Sequence, residues 1–352
     1  MITRRDFART SLAVPLLATF NPLKAAGNLD SSTSEGADIR RVGVRGNGAY
    51  WGAAGEQIDM LSGNLNFTFP ILSAMSRGVK AKLSASCNSQ FWQSSGEIIQ
   101  TPGIDLGLGW RMLFGAVQPI GIGASAGYVH VEGTGAEYIL VKSGNRWISR
   151  NGVYISYDDS AHKLYFPDGT VWNMDCISSS AESDSGTRYP TLIRDTNGNQ
   201  IFVQYLAGKG STIPNTSSRI SAIQDARAQN LPAGRRTYSF LYSSDTTPKL
   251  ISIVNHIGSI EGFQFTYKPQ SLSSPFANGT AQTATLLQSV QPLSGYSYVF
   301  IYNSFGELSS AKTLHGGTIG WNYQTEYFAE GRSIPSFHSA LLRLEARTQI
   351  SI

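Results

Sequence analysis

Gly123-Ala124-Ser125-Ala126-Gly127 has the G-x-S-x-G spacing of a nucleophile elbow. Such an elbow places its serine on a sharp turn between a strand and a helix, with an acid and a histidine later in the chain. Here Tyr128 to Val131 continues as strand-forming residues, so a glycine-rich hairpin turn is the better reading. Gly121-x-Gly123-x-x-Ala126 mimics a dinucleotide fingerprint and lacks the same helix. The five histidines (130, 162, 256, 315, 338) stand apart from one another, with no spacing that would hold zinc. Asp105 and the pair Asp158-Asp159 could serve glycoside hydrolysis if two carboxyls sat roughly 5 to 9 Å apart. Capping of hairpin turns explains them more simply. Cys87 and Cys176, the only cysteines, could form one disulfide or remain two buried thiols. Trp51, Trp92, Trp147 and Trp172 could fill core or stack against sugars. The reading assigns no catalytic, cofactor-binding or metal-binding residue and expects a protein that is not an enzyme.

The elements behind these residues are short strands. Thr191 to Tyr205 reads T-L-I-R-D-T-N-G-N-Q-I-F-V-Q-Y. Ile201, Val203 and Tyr205 fall on one face and Phe202 and Gln204 on the other behind an Asn-Gly, which is a strong hairpin signal. The same sentence returns four times, closing at Tyr242, Tyr267, Tyr302 and Tyr323, at spacings of 37, 25, 35 and 21 residues. Units of this kind bury a face only against neighbours, so the repeats should share one continuous core. Upstream, Val79 to Ala85, Tyr128 to Val131, Tyr138 to Val141 and Leu164 to Trp172 are further strands between turn signals. The composition agrees. Charged residues are 15% of the chain, against roughly 25% in an average soluble protein, while Gly (36), Tyr (16) and Phe (16) are plentiful. The expected class is all-β, with short antiparallel strands and hairpins joined into a continuous curved sheet, a partial β-shell.

Residues 1–26 read as a targeting segment. Thr3-Arg4-Arg5-Asp6-Phe7 is a twin-arginine pattern, followed by the apolar run Ser11 to Phe20 and small residues at Ala25-Ala26. The run is too short to span a hydrocarbon core of about 30 Å as a helix. Of the net charge of +4, this leader holds Arg4, Arg5, Arg9 and Lys24 against Asp6; the remainder has 24 basic and 23 acidic residues. A body so near neutrality argues against nucleic acid as a partner. Residues 27–45 form a polar linker, 46–186 a strand-rich region ending in the polar break Ser178 to Gly186, and 187–352 the repeats. The expected location is periplasm, cell surface or extracellular space, without a transmembrane span.

Together these motifs resemble the Rhs/YD-repeat family over about Gly46 to Ile352. Its units read roughly L-x-x-I-x-D-x-x-G-x-x-x-x-x-x-Y, which Leu192 to Tyr205 approaches, with Asp195, Gly198, Asn199 and Tyr205 in matching roles. Gly63-Asn64-Leu65 resembles the family's opening strand, Leu106-Gly107-Leu108-Gly109-Trp110 its "lG-x-GW" signature, and Leu164 to Trp172, with Asp168-Gly169, its hairpin. The resemblance implies a β-sheet that spirals into a hollow shell, which in polymorphic toxins encloses a C-terminal toxin domain. Two departures are plain: Cys87-Asn88-Ser89 replaces the family's Tyr-Asn-Ser, and no Asp-Pro-x-Gly motif follows. The expectation is an exported structural or surface-interaction protein, able to serve as the N-terminal part of a contact-delivered toxin. Its partners would be cell-surface glycans, another envelope protein, further repeats or a toxin domain. The competing expectation is a secreted carbohydrate-binding module or polysaccharide-acting enzyme.

Overall fold

The computed structural model describes residues 44–45, 49–51, 55–59, 64–92, 96–98, 106–121, 126–149, 153–230, 236–259, 261–276, 279–327 and 340–345. The segment 1–26 expected as a leader, nearly all of 27–45 expected as a linker, Gly63, Asp105, Ser125 and His338 lie outside them. The described residues belong to one compact unit, Ile39–Ile352. They are all-β apart from a 3-10 turn at Ala226–Asn230. No helix among them is long and apolar enough to cross a membrane, a statement about helices only.

Period-2 alternation does what it should. Along Gln200–Tyr205 the residues run exposed, buried, exposed, buried, exposed, buried, placing Ile201, Val203 and Tyr205 inside. A five-stranded antiparallel sheet runs in the order Ala49–Trp51, Glu56–Asp59, Leu65–Met75, Lys80–Asn88, Trp110–Leu113. A second, much larger sheet begins at Gly115–Ile120 and continues strand by strand to Val171–Asn173. It then pairs Val171–Asn173 directly with Leu192–Arg194, skipping the polar break, and proceeds hairpin by hairpin to Thr318–Gly320. On its other side Arg188–Tyr189 adds to Gly115–Ile120 through Val117, with Cys176–Ile177 beyond. Among the described residues no pairing joins Thr318–Gly320 to Cys176–Ile177, so the sheet stays open. Asn322–Tyr327 and Ala340–Glu345 form a separate hairpin.

The two sheets meet in one core. Phe67, Phe69, Leu83 and Trp110 of the five-stranded sheet share a cluster with Ile201, Ile253 and Phe300 of the large one and with Trp321 just beyond its last strand. Phe69 packs on Tyr298 at 4.2 Å between ring centroids, and Trp110 on Phe300 at 4.6 Å. The repeat face that would border a hollow is therefore filled by the N-terminal sheet. Val117, Leu140, Ile155, Tyr157, Leu164 and Met174 make a second, smaller cluster.

The repeat carries a device that alternation does not reveal. Leu250 and Ile253 are three apart and both buried, as are Ile220 with Ile223, Leu287 with Val290, and Leu308 with Ala311. In a regular strand residues three apart point to opposite faces. Each pair straddles a register shift: Leu241 pairs with Ser252 but Tyr242 with Leu250, and Ile301 with Ser310 but Tyr302 with Leu308. The same shift falls at Gln204/Tyr205 and Thr266/Tyr267. One extra residue in a β-bulge returns both apolar side chains to the core. The L-x-x-I spacing is the sequence trace of that bulge.

Candidate functional site

The closing tyrosines are tethers. Tyr205 Oη donates to the Pro190 carbonyl at 3.0 Å, Tyr242 to Ile220 at 3.0 Å and Tyr267 to Leu250 at 2.7 Å. Tyr302 donates to Leu287 at 2.6 Å and Tyr323 to Leu308 at 2.8 Å. Each thus reaches back to the first core residue of its own unit. Because Tyr205 reaches Pro190, the first unit starts at Pro190-x-x-Ile193-x-Asp195. Leu192 is not its leading residue: it is half-buried, whereas Ile193 is buried. Burial pushes the Tyr205, Tyr302 and Tyr323 phenols well above their ordinary pKa, so these three remain protonated donors. Removing one hydroxyl, as in Tyr267→Phe, is expected to cost about 1 kcal/mol, read as a lower urea midpoint at unchanged slope.

Asp195 serves a turn. Its Oδ1 accepts the amides of Asn197 at 2.9 Å and Asn199 at 2.8 Å, and its Oδ2 accepts Asn199 Nδ2 at 2.7 Å. These donors, the Asn199 side chain foremost, hold its carboxyl below the usual carboxylate range. Asn255 and Asn303 repeat the geometry, each accepting amides two and four residues on. Gly198, Gly258 and Gly306 fill the fourth position at φ +81°, +73° and +84°. A Cβ on Gly198 would meet nothing within 4 Å, so its requirement is conformational alone. Gly198→Ala is expected to lower stability by about 1 kcal/mol, the cost of left-handed backbone for an L-residue. An unchanged melting temperature in Gly198→Ala would contradict the left-handed turn.

Leu106 to Trp110 staples the sheets together. Gly107, at φ +91°, lies against the large sheet, where a Cβ would come within 2.9 Å of the Thr285 carbonyl and the Leu287 amide. Leu108 N donates to Thr285 O at 2.9 Å. Gly109, at φ +76°, turns against the Asn88 carbonyl of the five-stranded sheet. Trp110 Nε1 donates to Tyr302 Oη at 2.8 Å, and that hydroxyl donates onward to Leu287. The opening strand is held nearby: Ser89 Oγ donates to Asn64 Oδ1 and accepts Leu65 N.

The remaining residues singled out for chemistry are dispersed. Asp158 Oδ1 caps Ser160 and Ala161, while Asp159 accepts Trp147 Nε1 at 3.2 Å. His130 is enclosed by Tyr138, Phe166 and Trp172, and burial pushes its pKa down to about 4. Trp92 Nε1 donates to Phe305 O. Among the described residues no group of His, Cys, Asp and Glu is placed to hold a metal. The disulfide considered for Cys87 and Cys176 does not form. Cys87 lies on Lys80–Asn88 and Cys176 on Cys176–Ile177, in different sheets, as two buried free thiols that burial pushes well above their ordinary pKa.

One open cleft of about 380 Å³ lies where three turns converge. Its walls are the start of Lys80–Asn88, the Phe166–Thr170 turn and the Asp195–Asn199 turn, with Phe166 and Trp172 below. Here Asp168 and Asp195, far apart in sequence, come together.

No protein-family model matches the chain, and no curated protein sequence does. Among solved structures it is similar to the N-terminal domain of effector protein SpvB from Salmonella typhimurium strain LT2. That match has 13% identity and a TM-score of 0.31, over 81% of this chain and 96% of that one. It is also similar to a structure described as TcdB2-TccC3, with 11% identity and a TM-score of 0.37, over 84% of this chain. The chain spans only 18% of that second structure.

The clasp formed by Asp225 and Arg227 was missed in the sequence. Asp225 Oδ2 accepts Met75 N at 2.8 Å, and Arg227 reaches Asp225, Glu261, Tyr238 and the Ser73 carbonyl. Desolvation opposes the Arg227 charge, but the hydrogen bonds and attraction from Asp225 and Tyr238 together outweigh it and raise the guanidinium pKa further. The D-x-R spacing was the available signal, but the backbone it clasps, at Ser73 and Met75, lies about 150 residues away in sequence.

Proposed function

We propose that this chain is an exported, non-enzymatic scaffold of the Rhs/YD type, in which an N-terminal sheet caps the repeat sheet and the assembly acts at the cell envelope. The observation that carries the reading is the use made of the repeat motif. Its five tyrosines and its Asp/Asn-x-x-Gly turns are bonded to the backbone they shape. A motif so employed builds surface and rigidity. A sheet left open at Thr318–Gly320 and stopped on its inner face by Trp110 suits the capped end of a shell or an adhesive module. The resemblance of Arg4-Arg5 and the following apolar run to a twin-arginine leader supplies the route.

The test is expression of the full chain in hosts with and without a twin-arginine translocase, followed by fractionation and protease treatment. The expected result is a protease-resistant body outside the cytoplasm, lost in the translocase-deficient host and with Arg4→Lys/Arg5→Lys. Retention in the cytoplasm of both hosts would refute export. Ready cleavage between the N-terminal sheet and the repeats would refute the capped scaffold.

A further inference from the structure

We infer that the cleft between Lys80, Asp168 and Asn197 is a binding site for a pyranose ring of a glycan, which deepens the surface-interaction part of the function proposed above and rests on it. The cleft has the size of a small-ligand site, about 380 Å³. Phe166 and Trp172 form its apolar floor, their ring centroids 4.7 Å apart, and both are half-buried. Around that floor stand polar groups with no bonding partner among the described residues. They are Lys80 Nζ, Lys82 Nζ, Thr170 Oγ1, the side-chain carboxamide of Asn197, Trp172 Nε1 and the second carboxylate oxygen of Asp168, whose Oδ1 is held by Thr170 N.

The site is walled by parts that cannot move freely. Asp195 is fixed by its three donors, and Gly78 sits so close that a Cβ there would fall 2.1 Å from Asp195 Oδ2. The ligand class follows from the mixture of groups. Lys80 and Lys82 disfavour a bare cation, and Asp168 disfavours a bare anion. Donors and acceptors side by side over an aromatic floor match a ring whose hydroxyls both donate and accept and whose C–H face is apolar.

The experiment is a titration of the whole protein with methyl β-D-glucopyranoside, N-acetylglucosamine and glucuronate, followed by tryptophan fluorescence and saturation-transfer NMR. Inorganic sulfate serves as a charge-only probe. The expected result is saturable binding of at least one sugar, weakened about tenfold by Asp168→Asn and by Lys82→Ala, the loss of roughly one hydrogen bond each. Both positions are exposed and Asp168→Asn keeps the Oδ1 acceptor, so the melting temperature should stay at the parent value. Absence of saturable binding by all three sugars, unchanged binding in both variants, or sulfate binding as tightly as the sugars would each overturn the site. A protein that fails the export test yet binds sugar here would refute the envelope role and leave the site standing.

Discussion

Trp110→Ala is expected to destabilise the protein by about 4 kcal/mol, a large share of the roughly 5–15 kcal/mol that holds a typical domain folded. Trp110 is 1% exposed and touches Phe67, Phe69 and Phe300, so truncation opens a void between the sheets that neither backbone can close. The strand Trp110–Leu113 is pinned on both sides of that void, by the Cys87 pairing and by Gly107 against Thr285 and Leu287. The variant also removes the indole donor from Tyr302, although that hydroxyl keeps its bond to Leu287. Trp110→Phe refills most of the volume but not the hydrogen bond, so it is expected to cost about 2 kcal/mol, well below the alanine variant. Urea unfolding measures both. Equal midpoints for Trp110→Ala and Trp110→Phe would show that the void does not matter.

Glu307→Gln is expected to stabilise the protein at pH 8 by about 3 kcal/mol and to change little at pH 4. Glu307 is 3% exposed in the turn that Asn303 organises, its Oε2 accepting Asn303 Nδ2 at 2.7 Å. Burial pushes its pKa up to about 7 from an ordinary 4.5, the Asn303 bond opposing only in part. The folded state therefore holds the proton more tightly than the unfolded chain. Below pH 4.5 both states are protonated and no penalty arises. As pH climbs from 4.5 to about 7 the unfolded chain ionises first and stability is lost, the full penalty applying above that window. Gln keeps an acceptor for Asn303 and cannot ionise. Melting temperatures of the two proteins across this range should diverge upward in pH; parallel curves would mean that Glu307 is not desolvated.

Much of this architecture was legible because it is local. The alternation of Ile201, Val203 and Tyr205, the turn at Gly198 and the hairpin around Asp168-Gly169 are each written within a few residues. What escaped depends on distant partners. The unit boundary at Pro190 shows only through the Tyr205 tether, because proline offers no apolar periodicity to match Leu250 or Leu287. The bulges are implied by L-x-x-I but need a paired strand to give them meaning. Spacing likewise left Cys87 and Cys176 undecided, since separation by sheet cannot be read from separation in sequence. The cleft joins Lys80, Asp168 and Asn197 from three segments, and no single motif marks it.

The claim on which the rest depends is that the N-terminal sheet and the repeats are one cooperative body joined at Trp110 and Tyr302. A double-mutant cycle with Trp110→Phe and Tyr302→Phe in urea tests it most directly. The expected outcome is one unfolding transition for all four proteins and a coupling energy of about 1 kcal/mol, as for residues in one hydrogen-bonded network. Strict additivity, or two separate transitions in the parent protein, would contradict it.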